Sequence, residues 1–285
     1  MAPSDADRSP PIGIIAGGGA LPFAVANALR ARGIEPVILA MEGVCDPAPL
    51  PKFRHHRFAL GKFGQLIRLL HSEKCKDVIL LGSLVRPALF DMRFDWGAVR
   101  LIPSIAAALR GGDDHLLTRV GKLFEREGFR LVGIADVAPE LLMAEGLLTR
   151  ISASESAMAD IAYGNEVLRA LSPFDIGQAV VVIDRHVVGV EGIEGTDGLL
   201  TRIAQLRSEG RLRKKPGRGV LVKGPKLGQD TRLDLPTVGP RTIDGAARAQ
   251  LAGIAVTSGQ AVVAEAQAMI DAANRAGLFI LGQRA

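Results

Sequence analysis

The chain is poor in the residues that carry several common chemistries. Two cysteines, Cys45 and Cys75, stand in 285 residues. Their contexts are unrelated, so they predict a reducing compartment and no disulfide framework. One Trp and one Tyr leave few platforms on which bases could stack, and nucleic acid is not expected as a partner. The histidines do not make a metal set: His55 and His56 are adjacent, while His71, His115 and His186 are scattered. No H-E-x-x-H, C-x-x-C or G-x-S-x-G occurs, which removes support for zincin, redox-pair and nucleophile-elbow mechanisms. The Gly-Asn-His-Asp pattern of calcineurin-like phosphoesterases and the Nudix helix pattern are also missing. No apolar run approaches the roughly 18–20 residues that a spanning helix requires. The leader 1–11, MAPSDADRSPP, has acids and prolines and no apolar core, so it reads as disordered rather than as a signal peptide. A cytoplasmic protein is expected, at most peripheral on a membrane surface.

What the chain does have is apolar mass, at 48% of its residues, and room for two cores. Residues 12–140 alternate strand and helix: strand Ile12–Ala16, a turn through Gly17-Gly18-Gly19, helix Phe23–Arg32 and strand Val37–Met41. Helix Phe63–Lys74, strand Val78–Leu81, helix Asp114–Glu127 and strand Leu131–Ala135 follow. That rhythm predicts an α/β class with a Rossmann-like parallel sheet, whose ligands bind beyond the carboxyl ends of the strands. Gly17–Gly19 and Gly82–Arg86 are nominated on that ground. A linker is expected at 141–150, then a C-terminal α/β domain at 151–285 with a mixed sheet. Its expected elements are helix Ala157–Leu171, a hairpin of Ala179–Ile183 and Val187–Val190, helix Leu199–Arg207, helix Ala264–Ala276, and late strands Gly253–Thr257 and Leu278–Leu281.

Two polar segments interrupt the second half. In 229–234, QDTRLD, an extended chain from Asp230 would turn Arg232 and Asp234 to the same side. Two carboxylates flanking a guanidinium suit a divalent cation beside a phosphate. A surface hairpin whose Asp–Arg–Asp row pairs with itself is the plainer alternative. Upstream, VEGIEGTD at 190–197 sets Glu191, Glu194 and Asp197 among glycines. Thr196 or Asp197 would serve as N-cap of the helix from Leu199. Three acids in so short a turn repel one another unless a cation or a Lys/Arg partner neutralises them. The basic run RLRKKPGR at 211–218 fits a solvated loop, or attraction to anionic lipid.

With IAGGGALP at 15–22, RGGDDHLL at 110–117, GLLTR at 146–150, DIGQAVVV at 175–182 and QDTRLDLPTVGPRTI at 229–243, these segments carry a resemblance. The chain resembles the UDP-2,3-diacylglucosamine pyrophosphatases of the lipid A pathway, of the LpxI type, over nearly its whole length. GPKLG at 224–228 departs from the more usual spacing before Gln229, so Lys226 matches less well than Lys223. The resemblance implies a hydrolase of Gram-negative bacteria acting on a UDP-linked diacylglucosamine, with Mg²⁺ as cofactor. Asp230 is then expected as the central catalytic acid, supported by Asp234 and Asp197, with Asp230, Asp234 and Glu194 as metal ligands. Lys223 and Arg232 would bind phosphate oxygens, with Gln178, Thr196 and Gln229 positioning the substrate. Gly17, Gly18, Gly19, Gly82 and Ser83 would hold the uridine end. The acyl chains would lie in an apolar chamber between the domains, with 101–109 as a candidate wall. A peripheral contact with the inner face of the inner membrane is expected; homodimerisation is left open.

Two other classes stay open. An NAD-dependent oxidoreductase would use Gly17–Gly19 and Glu42, although Pro22 stands where G-x-G-x-x-G needs its last glycine. A non-catalytic nucleotide- or lipid-binding module would use the acids only to shape a pocket.

Overall fold

The computed structural model describes residues 9–83, 113–212 and 217–284. The candidate wall at 101–109, the end of the Gly82–Arg86 turn, most of the leader and the centre of the basic run fall outside them. The chain divides into two compact units: Met1–Pro139 with Arg232–Asp234, and Glu140–Thr231 with Leu235–Ala285.

In the first unit β1 (Ile12–Ala16), β2 (Pro36–Met41), β3 (Arg54–Phe58), β4 (Asp77–Leu81) and β5 (Arg130–Leu131) form one sheet in the order β3-β2-β1-β4-β5. Every described pairing in it is parallel. The two central strands β1 and β2 are buried along their whole length, as continuous apolar runs in a parallel sheet must be. Helices α1 (Leu21–Ala31), α2 (Phe63–Ser72) and α3 (Asp113–Arg126) complete the βα units. This is the Rossmann-like architecture that the alternation predicts. The strand order reverses between β1 and β4, which makes the turns after them the topological switch point.

Two local expectations need correction. The strand expected at Leu131–Ala135 ends at Leu131 and turns into the short helix α4 (Ile134–Val137), because Asp136 Oδ2 accepts from Gly133 N at 2.8 Å and starts a helical turn. Strand β3 had no sequence signature: RHHRF carries no apolar alternation. It is held by charge. Arg54 Nη2 and His56 Nε2 each lie 2.5 Å from the Glu73 carboxylate, which is buried at the end of α2.

The second unit contains β6 (Gly146–Leu147), α5 (Glu155–Leu171), β7 (Ala179–Ile183), β8 (His186–Val190), α6 (Gly195–Ser208), β9 (Val220–Lys223), β10 (Thr237–Val238), α7 (Pro240–Arg248), β11 (Gly253–Thr257), β12 (Val262–Val263), α8 (Ala266–Ala276) and β13 (Phe279–Gln283). Its six-stranded sheet runs β6-β13-β11-β9-β7-β8. Strands β9, β11 and β13 are mutually parallel, and β6 and the β7–β8 hairpin join antiparallel at either side. One face, with Val181, Leu221, Ile254 and Ile280, packs on Leu199, Ile203, Ile243, Ala246 and Met269 of α6, α7 and α8. The other face, with Val180, Val222 and Phe279, packs on Ala157 and Ile161 of α5. The mixed α/β sheet matches the expected class. Residues 141–150 are not a free crossing, however: Leu148 N donates to Ile280 O at 2.9 Å, and Gly146–Leu147 pairs with β13. Burial of Leu148 beside the core draws this stretch into the sheet.

The β7–β8 hairpin turns through Asp184 and Arg185, both at positive φ (51° and 57°) and neither a glycine. Such a turn is disfavoured for these residues. The Asp160 carboxylate of α5, 2% exposed, accepts from Asp184 N at 3.1 Å and Arg185 N at 2.6 Å and so holds it. Asp160→Ala is expected to cost about 2–3 kcal/mol, the scale of losing charge-assisted hydrogen bonds to backbone amides. A fall in the urea midpoint without a change in slope checks it; an unchanged midpoint would refute it.

Candidate active site

The polar groups of the second unit converge where β9 ends. Lys223 is the last residue of β9 and 6% exposed. Its Nζ donates to Thr196 Oγ1 at 2.6 Å. Thr196 Oγ1 in turn donates to Glu191 Oε1 at 3.1 Å, and Glu191 Oε2 accepts from Gln178 N at 3.1 Å. Main-chain bonds fix the same corner, with Glu191 N donating to Ala179 O at 2.9 Å and Gly224 N to Gln178 O at 3.0 Å. Gly177 sits at φ +51°, and a Cβ there would stand 2.2 Å from Glu191 O, so only glycine allows the two segments to approach. On the neighbouring strand, buried Thr257 ends β11 with its Oγ1 2.5 Å from where a Gly224 Cβ would lie.

Helix α6 begins at Gly195, not Leu199, and its N-cap position is Glu194 without a side-chain cap bond. Thr196 and Asp197 are therefore inside the first turn and neither caps the helix. The Thr196 hydroxyl is committed to Lys223 and Glu191 instead. A lysine ammonium beside the positive end of a helix, with Glu191 behind Thr196, makes a corner suited to an anion such as a diphosphate.

Loop 224–230 leads from Lys223 to Asp230 and is pinned at several points. Lys226 pairs with Asp175, and Leu227 N donates to Ser172 Oγ at 2.5 Å. Gln229 Oε1 accepts from Lys226 N at 3.0 Å, so the Gln229 side chain shapes the loop itself. Asp230 follows, half-buried. Beyond it the chain is not extended: residues 231–233 turn. Arg232 reaches Glu125 at 3.3 Å, and Leu233 Cδ1 packs 3.2 Å from the position of a Gly121 Cβ, both within the first unit. Seating the Leu233 side chain on α3 overrides the period-two alternation, so Asp230, Arg232 and Asp234 do not form the expected one-sided row.

The exposed acids of the 190–197 turn have basic partners. Glu194 pairs with Arg202 at 2.8 Å. Its own backbone amide, then the Arg202 guanidinium, hold its carboxyl below the ordinary carboxylate range. Asp197 is exposed, with Arg241 at 3.9 Å. Among the described residues no three His, Cys, Asp or Glu side chains are close enough to hold a metal ion. The acid turn is neutralised by Arg202, Arg241 and the Thr196-bridged Lys223. The thiols offer no nucleophile: burial, then the charge of Glu73, push Cys75 up to about 12, and burial raises Cys45.

At the switch point of the first unit the glycines serve the backbone. Gly17 N donates to Leu81 O at 2.8 Å, Gly18 N to Ser83 O at 2.9 Å, and Ser83 N to Gly18 O at 3.0 Å. Gly82 lies at φ +95°, where a Cβ would stand 2.5 Å from Gly18 O. The amides of Gly17, Gly18 and Ser83 are thus committed to main-chain carbonyls.

Two family models match the chain, the LpxI N-terminal domain over residues 11–141 and the LpxI C-terminal domain over residues 144–281. The chain belongs to the LpxI family. It is 40% identical over 271 residues to a Caulobacter vibrioides protein named UDP-2,3-diacylglucosamine pyrophosphatase LpxI, covering 95% of this chain and 96% of that one. Membership gives the described corner its context: the Lys223–Thr196–Glu191 chain and loop 224–230 all lie in the part matched by the LpxI C-terminal model. Sequence reading had placed Lys223 and Thr196 at the site but gave Glu191 no role and passed over Thr257. A threonine closing a buried parallel strand was the available signal for Thr257. Nothing in the sequence separates Glu191 from the two exposed acids beside it.

Proposed function

We propose that this protein hydrolyses the phosphoanhydride of UDP-2,3-diacylglucosamine to UMP and 2,3-diacylglucosamine 1-phosphate, as a step in lipid A biosynthesis. The full-length similarity to a protein named for that activity carries the proposal. The buried lysine at the end of β9 gives it a chemical means. A diphosphate resists attack because its oxygens are negative; Lys223 would bind non-bridging oxygens and stabilise the charge that builds in the transition state. Asp230, at the end of the pinned loop, would take the proton of the attacking water. The expected carboxylate ligands would hold Mg²⁺, which would offset the charge of the diphosphate.

A substrate with two acyl chains resides in a membrane, and the surface near the site suits one. Phe174, Ile176, Ile193 and Leu227 are all exposed. They stand on three loops tied together by the Lys226–Asp175 pair, the Leu227–Ser172 bond and the Gln178–Glu191 bond. These side chains would dip into the inner leaflet at the cytoplasmic face.

Incubation with UDP-2,3-diacylglucosamine is expected to release UMP and the sugar 1-phosphate in equal amounts, with EDTA suppressing turnover and Mg²⁺ restoring it. Release of UDP, or of no nucleotide, would refute the assignment. Co-sedimentation with phospholipid vesicles is expected to weaken about tenfold in Ile193→Asp, the scale of one large apolar side chain withheld from lipid. Equal sedimentation of that variant would remove the membrane contact.

A further inference from the structure

We propose that Glu191 is a positioning residue for the hydrolysis, holding Lys223 on the diphosphate through Thr196 Oγ1. The inference rests on the hydrolase reading. Lysine has protons to give and no lone pair to offer, so in the 2.6 Å contact Thr196 Oγ1 is the acceptor. The hydroxyl has one proton, and at 3.1 Å it goes to Glu191 Oε1. The second carboxylate oxygen accepts from Gln178 N at 3.1 Å. Every proton along the chain thus has a fixed direction. Of the three acids in the turn, Glu191 alone is buried, at 9% exposure. Glu194 is given to Arg202, and Asp197 lies outside near Arg241. The chain joins three elements: the end of β8, the first turn of α6 and the end of β9.

Glu191 offsets two positive neighbours that would otherwise repel each other, the ammonium and the helix start. It also fixes the rotor of Thr196, and hence the place from which Lys223 meets the ligand. A glutamine cannot replace it. The carboxylate accepts on both oxygens, while an amide presents one oxygen and one NH₂. In Glu191→Gln either the Gln178 amide or the Thr196 hydroxyl faces a donor.

The test compares wild type, Glu191→Gln, Thr196→Val, their double variant and Thr196→Ser. It reads kcat and KM for UMP release, and the Kd of inorganic pyrophosphate by calorimetry. In Glu191→Gln we expect kcat to fall about 10- to 100-fold, as for a group that orients another group in the site. KM is expected to rise by no more than about tenfold, in step with pyrophosphate binding about tenfold more weakly. The double variant should be no worse than the worse single, because both break one chain. Thr196→Ser should keep wild-type kcat within about threefold, since the hydroxyl remains. A Glu191→Gln protein that melts earlier yet turns over normally when folded would overturn the proposal. So would single losses that multiply in the double variant. Should wild type release no UMP, the hydrolase reading fails on its own, and the pyrophosphate affinities of the same proteins still decide whether the chain is coupled.

Discussion

Lys223→Met should lower kcat for UMP release by about 10²- to 10³-fold, the usual consequence of removing a preorganised electrostatic donor. Met has nearly the length of Lys, so β9 and its neighbours keep their packing, and the loss isolates the ammonium. Stability will fall as well, because Glu191 stays buried without the cation that Thr196 bridges to it, by less than the about 3–5 kcal/mol of a direct buried pair that loses one partner. Kinetics should therefore be taken well below the melting temperature of the variant. Lys223→Arg is not expected to rescue it. The guanidinium is a wide planar fork, and the contact it must replace is a single 2.6 Å approach to a hydroxyl. Turnover by Lys223→Met within about tenfold of wild type would remove Lys223 from the chemistry.

Asp230→Ala should lower kcat at least about 100-fold in Mg²⁺. The loop that carries Asp230 is fixed by Asp175, Ser172 and its own Gln229, so truncation deletes a carboxylate without releasing the segment. Asp230→Asn separates the two roles a carboxylate could have there. The amide keeps the shape and can still orient water, but it cannot take a proton. Loss of activity in both variants assigns Asp230 to proton transfer, and activity retained by Asn alone assigns it to orientation. Near-normal turnover by Asp230→Ala would end its place in the mechanism.

The sequence was most legible where local chemistry and tertiary packing agree. AVVVIDRHVVGV read as a hairpin, and it is one, since alternation puts Val181 and Val180 into opposite cores. The parallel strands β1, β2 and β4 read as apolar runs because both their faces are covered. Legibility failed where a distant partner decides. Arg54–Phe58 pairs as a strand although its alternation is polar, held by Glu73 from another helix. Asp230–Asp234 looked extended, but Leu233 and Arg232 turn toward α3. The acid turn called for a cation or a basic partner, and its basic partners are Arg202, Arg241 and, through Thr196, Lys223. Three glycines in a row suggested an anion loop, and the close approach of Gly17 and Gly18 to Gly82–Ser83 shows the other use of a missing side chain.

The strand orders have a consequence for how the protein survives at high concentration. An exposed outer strand is a template on which another chain can add and start a fibril. Among the described residues, each of the two larger sheets ends on strands unsuited to that. One sheet ends on β3, with Arg54, His55, His56 and Arg57 in five residues, and on β5, two residues long. The other ends on β6, also two residues long, and on β8, whose pairing slips register between Val181 and Val182. Charge, brevity and a bulge each discourage intermolecular pairing. Replacing Arg54 and Arg57 with Val or Thr would therefore be a change toward aggregation, even if it strengthened β3 within its own fold.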